Sequence, residues 1–326
     1  MGFAQLDGET LAEARRFNRL LDWAPRFKIR NRFMPLLIQS LLRLSQIGAD
    51  RRLARAGIRV ECRMAQADGI PASVPVRILR GERPPRAVVL DIHGGGWVIG
   101  NARMNDKLNS AMISACDVAV VSVDYRLAVR AHINDLMDDC LAAARWLLAG
   151  GLPELDGLPV YIVGESAGGH LAAATLQRLT AWPELLSRID GAILYYGVYD
   201  LAGTASVRLA CADTLVLHGP TMASSLRLLT PDLDDEQRRQ PPLSPLYGDL
   251  SGMPAALMFV GELDPLLDDT VTLAQRWNLA SSAELHRLPE APHGFIHFPT
   301  RMTRQVLAHA HAWLRDRIDH VDGVSR

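Results

Sequence analysis

The residue best placed to do covalent chemistry is a serine flanked by glycines, in the stretch "VYIVGESAGGHLAAATLQ" from Val160 to Gln177. The β-formers Val160, Tyr161 and Val163 precede Gly164, and Leu171, Ala172, Ala173, Ala174 and Leu176 read as helix. Ser166 therefore falls on the corner where a strand becomes a helix. Such a corner can hold its residue in an unfavourable backbone conformation and lift the hydroxyl clear of the sheet edge. The flanking glycines let strand and helix approach without Cβ clashes. That geometry suits a nucleophile.

A serine hydroxyl is a poor nucleophile at neutral pH, so it needs a base to take its proton and an acid group to hold that base in the right tautomer. "FVGELDPLLDD" puts Asp264 just beyond a strong strand, and "PEAPHGF" puts His293 in a Pro/Gly loop after the next one. Asp268 and Asp269 compete with Asp264, but they fall at a helix start, where an acid favours the N-terminus. Among ten histidines, His309, His311 and His320 lie in or after the last helix and are expected to be exposed, while His170 sits inside the helix after the serine. His293 and His297 are four apart, yet Gly294 and Pro299 disfavour a helical metal pair and no H-E-x-x-H occurs, so no metal site is expected. Attack on a carbonyl also builds negative charge on oxygen. "LDIHGGGWVIG", Leu90 to Gly100, ends a strand in three glycines, and the backbone N–H groups of Gly94, Gly95 and Ala167 are the expected donors to that oxyanion.

These residues need a scaffold. From about Arg59, the strand-like runs "VRILR", "AVVLDIHG", "VAVVSVDY", "VYIVG", "GAILYYG", "AALMFVGELD" and a weaker "AELHRLPE" alternate with helical stretches near 105–115, 135–148, 171–179, 269–279 and 304–318. Parallel neighbours need crossovers, so the pattern predicts an α/β class with a largely parallel sheet covered on both faces. Residues 201–239 break the rhythm and read as an insertion over the C-terminal edge of that sheet. The stretch from Phe33 to Leu44 reads as an amphipathic helix that either packs as part of a cap or lies on a membrane surface. The expected division is a cap segment over 1–50, a catalytic core over 51–200 and 240–326, and a cap insertion over 201–239. In this division Leu37, Leu41 and Leu44 meet the insertion above the serine.

Composition excludes some classes. Apolar residues make up 48% and the net charge is −1, which leaves no basic stripe for nucleic acid. Cys62, Cys116, Cys140 and Cys211 form no C-x-x-C pair, so buried thiols are expected rather than zinc ligands or disulfides. The N-terminal stretch lacks the apolar core of a signal peptide, and no apolar run is long enough for stable membrane insertion, so a cytoplasmic location is expected.

Together, HGGGW at 93–97, GESAGG at 164–169, "DPLLDD" at 264 and "PHGF" at 292–295 resemble the hormone-sensitive lipase family, the bacterial family IV esterases, over nearly the whole chain. "DYRLA" at 124–128 and "SPLYGDLSGMPAALMFVGELD" from Ser244 are similar too. The resemblance implies an α/β-hydrolase core under a helical cap, a Ser166–His293–Asp264 triad, no cofactor, and carboxylic esters, short-chain ones favoured, as small-molecule substrates. It also points to a homodimer through a sheet edge. Two positions depart from the family pattern: Glu165 stands where aspartate is more usual, and Val129-Arg130 replaces Pro-Glu. Glu165 is expected to turn into a supporting hydrogen bond away from the pocket, His93 to order the glycine loop, and Trp97 to pack. The remaining readings are a peptidase or amidase using the same triad, and a ligand-binding protein without catalysis.

Overall fold

The computed structural model describes residues 6–28, 33–71 and 73–324. Residues 1–5, part of the N-terminal stretch and cap segment read above, and residues 29–32 lie outside the described residues, as do residue 72 and the last two of the core. Eight strands form one sheet: β1 (Arg59–Gln66), β2 (Ser73–Arg80), β3 (Ala87–Ile92), β4 (Val118–Val123), β5 (Val160–Glu165), β6 (Ile189–Tyr195), β7 (Ala256–Gly261) and β8 (Ala283–Leu288). Their order is β1-β2-β4-β3-β5-β6-β7-β8. β2 runs antiparallel to both neighbours, and every pair from β4 to β8 is parallel. The expected α/β class holds.

β3, β4, β5 and β7 are buried along their whole length, which is why they read as continuous apolar runs. Helices Ile133–Leu148, Ala167–Leu179 and Leu267–Ala280 cover one face, and Asp106–Cys116 and Arg301–Val324 cover the other. β1 had no apolar signal to announce it. "RVECRMAQ" alternates charge with small apolar residues because this edge strand is mostly exposed.

Three expectations about burial need correcting. Cys62 and Cys211 are exposed, one on the edge strand β1 and the other in the insertion; only Cys116 and Cys140 are buried. His309 is half-buried and His311 buried, because the last helix lies against the sheet; His320 is exposed, as expected. Leu37, Leu41 and Leu44 do not meet the insertion. They are 62%, 58% and 62% exposed on the helix Phe33–Ser45. That helix is held instead through buried Gln39, whose amide donates to the Gly100 carbonyl (2.9 Å) and accepts from the Gly100 N–H (2.8 Å).

Contact between the N-terminal segment and the insertion does occur, through another residue. Phe27 forms a parallel bridge with Leu217, with the Phe27 N–H on the Val216 carbonyl (2.6 Å) and the His218 N–H on the Phe27 carbonyl (3.0 Å). Before it, the helix Gly8–Leu21 packs on the core: Ala14 is buried among residues of the last helix, and Asn18 donates to the Glu290 carbonyl. No described helix is long and apolar enough to cross a membrane.

Candidate active site

β3 lies between β4 and β5, so the chain leaves it in one direction while its other neighbour arrives later; such a switch in strand order opens a crevice at the carboxyl ends. Ile92 pairs with Gly164 in the register of β3 and β5, which sets the glycine run after His93 beside the corner at Ser166. Ser166 has φ 52° and ψ −119°, a conformation that costs about 1–3 kcal/mol and persists because the surrounding structure fixes it. Its N–H is held by the Tyr195 carbonyl (2.9 Å). A Cβ on Gly164 would collide with the Gly168 carbonyl, and one on Gly168 would collide with the Ile92 and His93 carbonyls. The strand and helix can approach only as glycine backbone.

The structure brings Ser166, His293 and Asp264 together from three separate loops. His293 Nε2 lies 2.9 Å from Ser166 Oγ, and His293 Nδ1 lies 2.8 Å from Asp264 Oδ2. The other carboxylate oxygen of Asp264 accepts the Leu266 N–H at 2.9 Å. Asp268 and Asp269 sit in the first turn of the helix Leu267–Ala280 and serve the base of the insertion. Asp268 accepts the Ser206 N–H, and buried Asp269 accepts the Tyr199 and Asp200 N–H groups and the Thr204 hydroxyl. Burial pushes Asp269 up to about 7, against the three donors that favour its ionised form.

Among the described residues, the N–H groups of Gly94, Gly95 and Ala167 have no protein acceptor. Gly95 and Gly96 line the cavity over Ser166, while Gly94 stands closer to Glu165. Gly95 and Gly96 have φ of 105° and 59°, which a glycine adopts without strain. His93 does order this loop: its Nδ1 lies 2.7 Å from the Gly94 carbonyl and its ring stacks on Tyr125, whose hydroxyl donates to the His93 carbonyl. Trp97 is buried yet also touches the cavity, and its indole N–H donates to His170 Nδ1 at 3.2 Å. His170 Nε2–H then donates to the Leu243 carbonyl, and burial lowers this imidazole to about 4, so it stays neutral.

Glu165 is buried, but with His297 it still touches the cavity, so it does not turn wholly away from the pocket as expected. Its Oε2 accepts from the Tyr196 hydroxyl (3.0 Å) and lies 2.7 Å from His297 Nε2. Burial opposes the charge, but the attraction and hydrogen bond of His297, with the Tyr196 hydroxyl, hold the carboxyl down at about 2. The same carboxylate raises His297 above the ordinary imidazole range. His293 and His297 therefore sit in different environments four residues apart, the first on Asp264 and the second on Glu165. Tyr196 joins them, its ring meeting His293 edge-on at 4.7 Å. Reading the sequence missed His297 and Tyr196 as partners of Glu165; the signal present was an unusual glutamate in need of a buried donor. It also missed Gly96 and Phe27 as cavity residues; the Val216–Leu229 side falls within the 201–239 insertion expected above the serine, though no residue of it was singled out.

Residues 89–297 match the family described as alpha/beta hydrolase fold. Carboxylesterase NlhH of Mycobacterium tuberculosis is 33% identical over 253 residues, 74% of this chain and 76% of that protein. The structure of esterase LipW from Mycobacterium marinum is similar with a TM-score of 0.81 at 26% identity, covering 95% of this chain and 97% of that one. An esterase from the bacterial hormone-sensitive lipase family gives 0.74 at 27% identity, covering 96% and 100%. The chain belongs to the α/β-hydrolase family, in its hormone-sensitive-lipase-like branch.

Proposed function

We propose that the protein is a serine carboxylesterase that hydrolyses small, short-acyl esters through an acyl-enzyme on Ser166. The observation that carries this reading is the unbroken hydrogen-bonded line Ser166–His293–Asp264, reaching from the edge of an apolar cavity to a buried carboxylate. With its Nδ1 proton donated to Asp264, His293 keeps Nε2 free to accept the serine proton. As Oγ bonds to the ester carbon, the proton moves to Nε2, and the carbonyl oxygen takes up negative charge facing the Ala167 N–H, the glycine run, where Gly95 and Gly96 rather than the expected Gly94 line the cavity, and the N-terminus of the helix Ala167–Leu179. Collapse breaks the bond to the alcohol oxygen, which leaves with the proton from His293. Water then repeats the sequence on the acyl-enzyme, His293 taking its proton and returning it to Ser166, and releases the acid.

The small size of the substrate rests on the cavity. Its volume of about 290 Å³ falls just below the ligand-pocket range of about 300–1,000 Å³, and Val198, Val216, Leu217, Met222, Leu226 and Leu229 form much of its wall. Most of these come from residues 201–239, which with Phe27 and Lys28 act as the cap that excludes water from the acyl group. The test is an ester series from acetyl to dodecanoyl with one chromogenic alcohol, run beside a matched amide. Highest kcat/KM on the shortest acyl groups and little turnover of the amide support the reading; a preference for dodecanoyl ester or for the amide would replace it.

A further inference from the structure

Away from Ser166, three side chains converge at the free edge of the sheet. Glu284 and His286 occupy alternate positions of β8 and so project from one face of that strand. The last helix brings His309 to the same face. His286 Nε2 lies 2.7 Å and His309 Nε2 2.9 Å from a single oxygen, Glu284 Oε1. The two imidazoles meet edge to face at 4.7 Å, and His286 is steadied by stacking on Phe259 of β7 at 5.1 Å. One ligand atom from each of the three residues lies within 4.8 Å of the others, which is true of no other trio of His, Cys, Asp or Glu among the described residues.

We propose that Glu284, His286 and His309 hold a divalent transition ion of the zinc class. Two imidazole nitrogens and one carboxylate oxygen are a donor set that zinc accepts, with a fourth position left for water. Metal–ligand distances of about 2.0–2.2 Å at tetrahedral angles put neighbouring ligand atoms about 3.4 Å apart. The 2.7 Å and 2.9 Å contacts open by about 0.7 Å and 0.5 Å to admit the ion, a movement that partly exposed Glu284 absorbs by rotating its side chain. All three residues are partly exposed, so an ion can enter from solvent.

The position gives the ion a structural task. Glu284 and His286 precede the segment that carries His293 and His297, and His309 follows it. Ligation from both flanks ties β8 to the last helix and closes that segment into a ring, removing loop freedom that the chain otherwise regains on opening. The ion touches neither Ser166 nor the ester.

The test uses the full-length protein, freed of metal by a chelator and titrated with zinc, with cobalt as a spectroscopic stand-in. Expected are one zinc per chain, a higher Tm with zinc than without, and the visible absorption of four-coordinate cobalt. His309→Ala and the nearly isosteric Glu284→Gln should each weaken zinc binding at least about tenfold and erase the rise in Tm. Should the alanine variant fail to fold, Glu284→Gln carries the test. Absence of binding to the parent protein overturns the proposal. So does unchanged affinity in these variants with loss of binding in a Cys62→Ser/Cys211→Ser protein, which would put zinc on the exposed thiols.

Discussion

Below the cavity, Gly164, Gly168 and Gly169 face backbone or a tyrosine at distances that leave no comfortable room for a side chain, and the strands beneath them are buried end to end. Above it, Phe27 and the Val216–Leu229 segment are tied together by one β-bridge, and the four-residue helix Ala205–Arg208 and the six-residue helix Met222–Arg227 are too short to be stable alone. The floor is packed backbone to backbone with no room for side chains; the roof is tied by one backbone bridge, and the side chains it turns to the cavity can be replaced. The difference separates two kinds of property. In the proposed esterase, chemistry that fails with an error of one ångström would sit on the floor, and selectivity among esters would be set by the roof, where sequence can vary without disturbing the reacting atoms.

The floor is most sensitive at Ser166. Ser166→Ala removes the only atom proposed to bond the acyl carbon, so turnover should fall by about 10⁴-fold or more while the Tm stays near the parent value. Ester assays, calorimetry and labelling by a fluorophosphonate check both halves. Labelling at another residue would move the nucleophile.

Next in size is Asp264→Asn, which leaves the geometry but favours the wrong imidazole tautomer and should lower kcat by about 10³–10⁴-fold. Asp268→Asn, a change at the base of the insertion, should keep kcat within a few-fold. The reverse outcome would reassign the acid that orients His293.

A roof variant should behave otherwise. Phe27→Ala removes a ring that stands within 3.3 Å of where a Cβ on Gly96 would be, and it opens the cavity wall. KM for acetyl esters should rise several-fold and the preferred acyl chain should lengthen, with little change in Tm. Deleting everything before Phe33 is a blunter version, because it also strips the helix Gly8–Leu21 from the last helix and the Asn18 contact from Glu290. That deletion should therefore shift the ester profile and also lower the Tm. An unchanged profile in both proteins would show that the N-terminal segment is no part of the roof.

Legibility followed the same division. Ser166 and Asp264 could be picked out as candidates because each follows a strand buried along its whole length, and His293 because it stands in a Pro/Gly loop after the weaker β8; the glycines beside Ser166 could be read because backbone contact tolerates nothing else. β1 escaped because an exposed edge strand carries charge where a central strand carries valine. Leu37, Leu41 and Leu44 misled because helical periodicity says that a face is apolar and not what covers it; Gln39, a polar residue in the same helix, makes the buried contact. His297 escaped because its partner lies 132 positions away and only the fold brings Glu165 beneath it.

The smallest expected effect tests whether Glu165 belongs to the floor as an ion or only as a hydrogen-bond acceptor. Its carboxyl is held at about 2, so its contribution to stability is present above the ordinary carboxylate range and fades as pH falls toward that value. His297 is raised, so its contribution is complete below the ordinary imidazole pKa of 6.5 and is lost as pH climbs through the raised one. The pair is therefore worth most between those limits, in mildly acid solution. His297→Gln keeps a donor near Glu165 but removes the cation. The Tm of this variant should fall below the parent's by a few degrees at about pH 5–6, and the gap should narrow at alkaline pH, where the parent too has lost its imidazolium. Although Ser166 directly follows Glu165 in the chain, kcat should move little if the relay through His293 and Asp264 is independent of this pair. A gap that stayed constant across the whole pH range would mean that His297 supports the floor as a neutral donor, and that the glutamate in place of aspartate is held there by hydrogen bonds alone.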